Sequence, residues 1–400
     1  MPALNRGPAI ASFPLTLLLG VLIALTPLGT DMYLPALPAV AAAFGAPVAS
    51  TQLTLTTFFL GLAIGQLGWG PLSDRFGRKP VLLAGLGLAL AASLSGLAAS
   101  SVQEIVLVRL AQGLGLSSGP VVARAIVRDL YSHERAAHLL SRMMLVFAVV
   151  PIAAPLAGAA LIGIGGWQAV FWGLAGMTLA VVAGAAGLRE TAPAERRSVH
   201  PAQILATFAK ILRERRFVAP YLVMLSAQVG IFAFVSGSAF ALMQGFDVTA
   251  TGYGMLFATV MLGQIAGSWL SSRLVMRLGA GGMLRLGAAL LLVAGAGAVL
   301  AAWSGALPAL VVSFMFYMFA ASLTVPNAQA AALTPFPATA GAASSLIGAS
   351  AFALGATISA LLGAAFDGSA RPMAAMAALA GCAAFILERW LARPVLAWKA

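Results

Sequence analysis

The sequence predicts an all-α integral membrane protein, with about twelve transmembrane helices in two pseudo-symmetric six-helix bundles. Three observations carry that prediction. The first is composition: 61% of the 400 residues are hydrophobic and only 8% are charged, against about 25% charged in an ordinary soluble domain. So few charges cannot cover the surface of a soluble fold of this size. The second is segmentation. Apolar runs lie near 13–35, 50–72, 80–100, 103–124, 138–162, 168–188, 217–243, 252–272, 284–303, 306–330, 341–365 and 372–391, each close to the ~20 residues that cross a ~30 Å hydrocarbon core. The third is where the net charge of +12 sits. With the N-terminus inside, 21 of the 23 Lys and Arg fall on the inner side, leaving Arg371 in an outer loop and Arg109 within a span. This is the positive-inside asymmetry. The basic charge reports topology, with both termini cytoplasmic, and nucleic acid is not expected as a partner.

The first span could be mistaken for a cleaved leader, since "ALPAVAAA" follows it. It lacks a strong basic n-region and is long enough to span, so it is read as a membrane helix. It ends in "GTDMYLPALP" (29–38), where Tyr33, Pro35 and Pro38 are expected to break the helix as it leaves the bilayer. Asp31 lies about one turn from that outer end. Arg109 lies roughly 9 Å below the outer end of the fourth span, at 1.5 Å per residue. A charge inside a span costs at least ~2.5–3.5 kcal/mol and is a functional candidate by default. Asp31 and Arg109 are expected at similar depth and are expected to interact, each relieving the other's desolvation. That pair either fixes the first span to the fourth or takes part in transport. If protons drive the protein, Asp31 is the natural carrier. Gln112 shares the Arg109 face at i+3, as a packing hydrogen bond or a substrate contact.

The second span runs into "GPLSDRFGRKP" (70–80), a very short inner loop. Gly70 and Gly77 allow close approach and tight turning. Asp74 is expected to seek a partner, such as the N-terminus of the eleventh span, and Arg78 to meet Asp129 of "VRDLY". Both contacts are expected to latch the two halves together on the inner side. In the fourth span, "GLSSG" (115–119) fits the G-x-S-x-G pattern of a hydrolase. That pattern needs a strand-to-helix turn and a histidine, whereas His133, His138 and His200 all fall in inner segments. A close-packing seam fits better. "PIAAPLAG" (151–158) in the fifth span implies a kink or a tight crossing at Pro151, Pro155 and Gly158. Gln52, Gln66, Gln228, Gln264, Asn327 and Gln329 are span amides that the sequence does not rank. Phe58, Phe147, Phe232, Phe257, Met261 and Tyr317 either form a forgiving pocket or pack the helices.

An internal repeat sets the domains. "GQLGWGPLSDR" (65–75) recurs as "GQIAGSWLSSR" (263–273), with Gly65, Gln66, Ser73 and Arg75 matching Gly263, Gln264, Ser271 and Arg273. The polar stretch 189–216 separates the copies. We therefore expect an N-terminal bundle (1–188), a cytoplasmic linker (189–216) and a C-terminal bundle (217–400), a parallel duplication known among transporters. Residues 202–213 suit an amphipathic helix on the inner membrane surface. Cys382 is the one cysteine, so no intrachain disulfide forms. No metal-ligand spacing or ATP site is visible, so no cofactor is expected and an ion gradient should supply the energy.

"GPLSDRFGRKP" resembles the loop between the second and third helices of the major facilitator superfamily. "RLAQGLGLSSGP" (109–120) resembles that superfamily's fourth-helix motif, with Arg109, Gln112 and Gly113 in place. "TDMYLPALP", with the run from "QLTLTTFF" to the inner loop, resembles the Bcr/CflA branch, the bicyclomycin and chloramphenicol/florfenicol exporters. "APLAG" is similar to the antiporter motif, with Ala157 at one Gly position. The resemblance implies a proton-coupled multidrug efflux transporter of the bacterial inner membrane, a drug/proton antiporter working by alternating access. Its implied partners are protons, the lipid bilayer and a small amphiphilic drug or metabolite, and a monomer is expected. It implies Asp31 and Arg109, with Gln112 and Tyr33 beside them, in proton or substrate coupling. It implies Gly70, Asp74, Arg75, Gly77, Arg78 and Asp129 in an inner gate. Ser272 stands where Asp74 stands in the first copy, so no equal latch is expected there. An importer on the same fold is the alternative reading, and an intramembrane enzyme or sensor a remote one.

Overall fold

The computed structural model describes residues 13–131, 133–192, 201–336 and 339–396. In chain order the helices are α1 (Phe13–Asp31), α2 (Leu37–Phe44), α3 (Val48–Phe76), α4 (Arg78–Ser95), α5 (Val102–Leu116), α6 (Ser118–Leu130) and α7 (His133–Ala186). They continue as α8 (Pro201–Arg213), α9 (Arg215–Met243), α10 (Ala250–Ser304), α11 (Leu307–Leu333), α12 (Ala340–Ala365), α13 (Arg371–Leu387) and α14 (Arg393–Leu396).

Among the described residues, ten segments are long and apolar enough to cross a membrane. Two of them are far too long for one crossing. A straight α10 of 55 residues would measure about 80 Å against a ~30 Å core. It is broken at Gly279 (φ 64°), and α7, 54 residues long, is broken at Gly165 and Gly166 (φ 67° at the latter). Each folds back as two crossings, which restores the twelve expected from sequence.

The first crossing departs from expectation at its outer end. After Asp31, a 3₁₀ turn at Leu34–Ala36 leads straight into α2, so the apolar segment runs from Pro14 to Phe44. Pro35 and Pro38 stand at the starts of these short helices, where a missing N–H costs nothing. They redirect the chain without ending it, and Asp31 lies well inside the span.

Close packing repeats between the bundles. In the first, Gly61 and Gly65 of α3 press on the Leu110 carbonyl and on Ser117 at the α5–α6 junction. In the second, Gly263 and Gly267 of α10 press on the carbonyls of Met315 and Phe319 in α11. Gly65 and Gly263 are the repeat-related pair, so the sequence repeat is a repeat of helix contact. Ser117 and Ser118 are buried and bond carbonyls of their own turns, 2.7 Å to Leu114 and 2.7 Å to Gly115. The "GLSSG" stretch is therefore a packing seam inside a helical crossing.

Candidate functional site: buried charges and the seam between bundles

Arg109, on α5, is fully buried. Its guanidinium is sandwiched between the rings of Tyr33 and Phe58, 4.2 and 3.9 Å from their centroids. Its Nη1 donates to the Gly29 carbonyl (3.0 Å) and to Gln112 Oε1 (2.5 Å). Gln112 Nε2 donates in turn to Ser93 Oγ (2.8 Å), and Tyr33 Oη donates to Thr54 Oγ1 (3.0 Å). Gln112 therefore orients Arg109. Nε and Nη2 of Arg109 have no partner.

Asp31 does not pair with Arg109, contrary to the sequence expectation. The only ion pairs among the described residues join Arg78 to Asp74 and to Asp129. Depth along a helix is not enough for contact. Gly29 and Asp31 are two residues apart and project from nearly opposite sides of α1. The side meeting Arg109 carries Gly29. Asp31 projects from the other side, and the turn that follows it, Leu34–Ala36, packs against α9 and α10 of the second bundle. Tyr253 of α10 and Ser238 of α9 hydrogen-bond through their hydroxyls (3.0 Å), both buried. Asp31 is 6% exposed, and its carboxylate makes no hydrogen bond or ion pair with described residues.

Three layers of contact close the α3–α12 side of the seam. Outermost, Gln52 of α3 donates through Nε2 to the Ser236 carbonyl of α9 (2.8 Å) and to Ser359 Oγ of α12 (3.1 Å). Next, Phe59 of α3 meets Phe232 of α9 edge-on (5.1 Å), and both contact Phe352 of α12 at 6.5 and 6.4 Å. Further in, Ser345 Oγ of α12 donates to the Gln66 carbonyl (3.2 Å), while Gln66 Oε1 accepts from Arg124 Nη2 (3.3 Å). Sequence could not rank Gln52 and Gln66 among the span amides. The other aromatic candidates serve packing: Phe257 lies against Phe234 and Tyr253, and Tyr317 Oη donates to the Ala227 carbonyl (3.2 Å).

Pro151 and Pro155 lie within α7 without breaking it. Gly158 marks a tight crossing, since a methyl there would strike the Met32 carbonyl, and the Pro155 carbonyl lies against Gly254 of α10 (3.3 Å for an added methyl). Gly158→Val should destabilise by about 1–3 kcal/mol through overpacking, read as a lower melting temperature in detergent. An unchanged melting point would show that α1 and α7 can separate there freely.

The inner loop is a cluster within the first bundle, and the expected latch between bundles is not what these residues form. Arg78 Nε donates to Asp129 Oδ2 (2.8 Å), and Nη1 donates to Ser73 Oγ (2.8 Å) and to Asp74. Asp74 thus has Arg78 as its partner, one turn away, in place of the expected N-terminus of α12. Arg75 stands outside the cluster, its guanidinium over the Phe76 ring at 5.2 Å. Gly70 has no close neighbour, whereas Gly77 (φ 103°) is held tightly.

What holds Gly77 is Glu190, which the sequence reading passed over. Its carboxylate accepts from the backbone N–H groups of Arg78 (2.9 Å), Lys79 (3.2 Å), Thr191 (2.9 Å) and Ala192 (2.9 Å). A side chain at Gly77 would collide with it. Lys79 Nζ adds a bond to the Ala186 carbonyl (2.6 Å). Glu190 thus caps the N-terminus of α4 from the first residues of the linker. Burial pushes its carboxyl up, but the four N–H donors outweigh this and hold it below the usual carboxylate range. A depressed folded value means the stabilisation is present at neutral pH, above the ordinary Glu value of about 4.3, and is lost as pH falls below it. Hydrogen exchange at the Arg78 and Lys79 amides, corrected for intrinsic rate, should stay protected at pH 7 and open as acid titrates the Glu190 carboxyl through its lowered value. Glu190→Gln should lose that protection already at pH 7. Equal protection in the variant would remove Glu190 from the cap.

Two helical bundles that share a close-packing repeat, meeting at a seam with an acid unpaired among the described residues and a buried guanidinium behind it, form the architecture of a secondary transporter. Residues 19–360 match the Major Facilitator Superfamily. A bicyclomycin resistance protein homolog from Haemophilus influenzae is 32% identical over 367 residues, covering 91% of this chain and 92% of its own. A chloramphenicol resistance protein from Pseudomonas aeruginosa is 35% identical over 264 residues, covering 65% and 62%. Among solved structures, a D-xylose-proton symporter superposes with a TM-score of 0.76 over 95% of this chain and 97% of its own. At 16% identity that likeness speaks to fold alone. The chain belongs to the Major Facilitator Superfamily, on the branch that holds these resistance proteins.

Proposed function

We propose that this multi-pass membrane protein is a drug/proton antiporter that exports small amphiphilic drugs across the bacterial inner membrane. Both termini are cytoplasmic, the bundles span 1–188 and 217–400, and 189–216 joins them in a monomer that works by alternating access. The resistance relatives support the drug class. The observation that carries the coupling is Asp31, a buried carboxylate on the seam that no cation neutralises. A proton can load or leave it without an ion pair being broken, and the turn just after it packs against helices of the other bundle. Arg109, held by Tyr33, Phe58, Gly29 and Gln112, places a buried positive charge behind it. The proton gradient supplies the energy and no cofactor is used.

Inside-out vesicles energised to an acid interior test this directly. Adding amphenicols or lipophilic cations should trigger proton efflux together with drug uptake. Asp31→Asn should abolish the drug-triggered proton flux. Drug uptake and proton flux that persist unchanged in Asp31→Asn would sink the assignment of the coupling site.

A further inference from the structure

We propose that α8, the linker helix, lies in the inner membrane–water interface and takes an acidic phospholipid headgroup on Lys210 and Arg213. The inference rests on the proposed orientation and is independent of what is transported. The helix presents different chemistry on each side. Ile211 is 1% exposed and packs into a cluster with Phe217 and Tyr221 of α9 and Ala343 and Ile347 of α12. That contact fixes α8 at the level where two crossings begin, and it fixes the rotation of the helix. Leu205 and Leu212 are 67% and 45% exposed. At 100° per residue they project within about 20° of each other, roughly 100–120° round from Ile211. They form an apolar stripe that no described residue covers.

Arg213 projects about 90° beyond that stripe and Lys210 further still. Both are exposed and stand in the last turn of the helix. The exposed Arg215 follows them, and the one acid among them, Glu214, turns its carboxylate to the Arg216 backbone N–H (3.3 Å). Protein, apolar stripe and cationic rim thus follow in order around one short helix. This is how an in-plane helix is arranged when leucines enter the acyl boundary and basic side chains meet phosphate. The partner is chosen by charge: juxtamembrane Lys and Arg gain affinity for an anionic leaflet that a zwitterionic one does not offer. A lipid so held would tie the chain joining the two bundles to the bilayer surface.

The test uses the full chain in nanodiscs of phosphatidylcholine, alone or mixed with phosphatidylglycerol. Native mass spectrometry should show phosphatidylglycerol retained in preference to phosphatidylcholine. Retention should fall roughly thirtyfold in Lys210→Gln/Arg213→Gln, as loss of two basic contacts predicts. A nitroxide at Leu205→Cys, in a Cys382→Ser background, should collide with oxygen more often than with a water-soluble nickel reagent. Equal retention of the two lipids, retention unchanged by the double substitution, or a water-exposed label would each overturn the proposal. If the double variant does not fold, lipid preference and the label on the otherwise unaltered chain still decide. Drug-driven proton flux measured in the same preparation separates this inference from the transport reading: loss of flux with lipid preference intact sinks only the latter.

Discussion

Arg109→Lys should cost most of the transport activity although it conserves the charge. The side chain works here as a plane. Its guanidinium fills the gap between the Tyr33 and Phe58 rings and reaches the Gly29 carbonyl and Gln112 at once. An ammonium is a compact point charge that cannot stack on two faces and bond in its own plane. Each cation–π contact in a desolvated site contributes about 2 kcal/mol, and an acceptor left without a donor costs about 1–3 kcal/mol. Lysine retains part of each, so a loss of about 2–4 kcal/mol in stability is expected from these terms. Vesicle drug uptake should fall at least about tenfold, since an error of 1.4 kcal/mol in the site already has that effect. Tyr33→Phe is the matched control. It keeps the ring and loses only the bond to Thr54, so it should remain close to wild type. Full activity in Arg109→Lys would mean that charge alone is required.

Gln52→Leu is expected to open the outer side. Leucine fills similar space but leaves the Ser236 carbonyl and Ser359 without the amide donor that joins α3 to α9 and α12. Two buried hydrogen bonds at about 0.5–1.5 kcal/mol each amount to roughly a tenfold shift in the balance between closed and open outer ends. The Phe59, Phe232 and Phe352 layer beneath keeps the bundles in contact, so the fold itself should survive. Spin labels on Ala42 and Asp247, both exposed near the outer ends of the two bundles, would report the change as a longer distance population. An unaltered distribution would place the closing contact elsewhere on the seam.

The two buried charges were legible because hydrocarbon tolerates so few: Asp31 and Arg109 stand out in apolar runs whatever their partners. Their pairing was misread because sequence fixes depth along a helix more easily than azimuth, and Gly29 occupies the side where Asp31 was expected. Arg78 and Asp129 were matched correctly, since both lie at inner ends of neighbouring crossings and carry opposite charge. That the bond stays inside one bundle depends on which helices neighbour each other. Gln52 could not be singled out, because an amide in a span serves a helix seam or a bundle seam with the same chemistry. Glu190 had a faint signal, an acid opening a basic linker on the same membrane side as Gly77, Arg78 and Lys79. Two crossings are fused to their neighbours in α7 and α10 because each joint is only a glycine or two. The apolar run lengths still counted twelve.

The phenyl layer of Phe59, Phe232 and Phe352 has an electrical meaning. A membrane voltage falls mainly across whatever is driest along a path, and three rings in contact exclude ions as they exclude water. In a conformation where water fills the seam up to the rings, the field there would be compressed from the full ~30 Å of hydrocarbon into a layer a few ring-widths thick. A charge carried past these rings does most of its electrical work there, about 2.3 kcal/mol per elementary charge at 100 mV. In that conformation the rings would set where along its path the protein senses the membrane potential, and a smaller residue at Phe232 would spread that step.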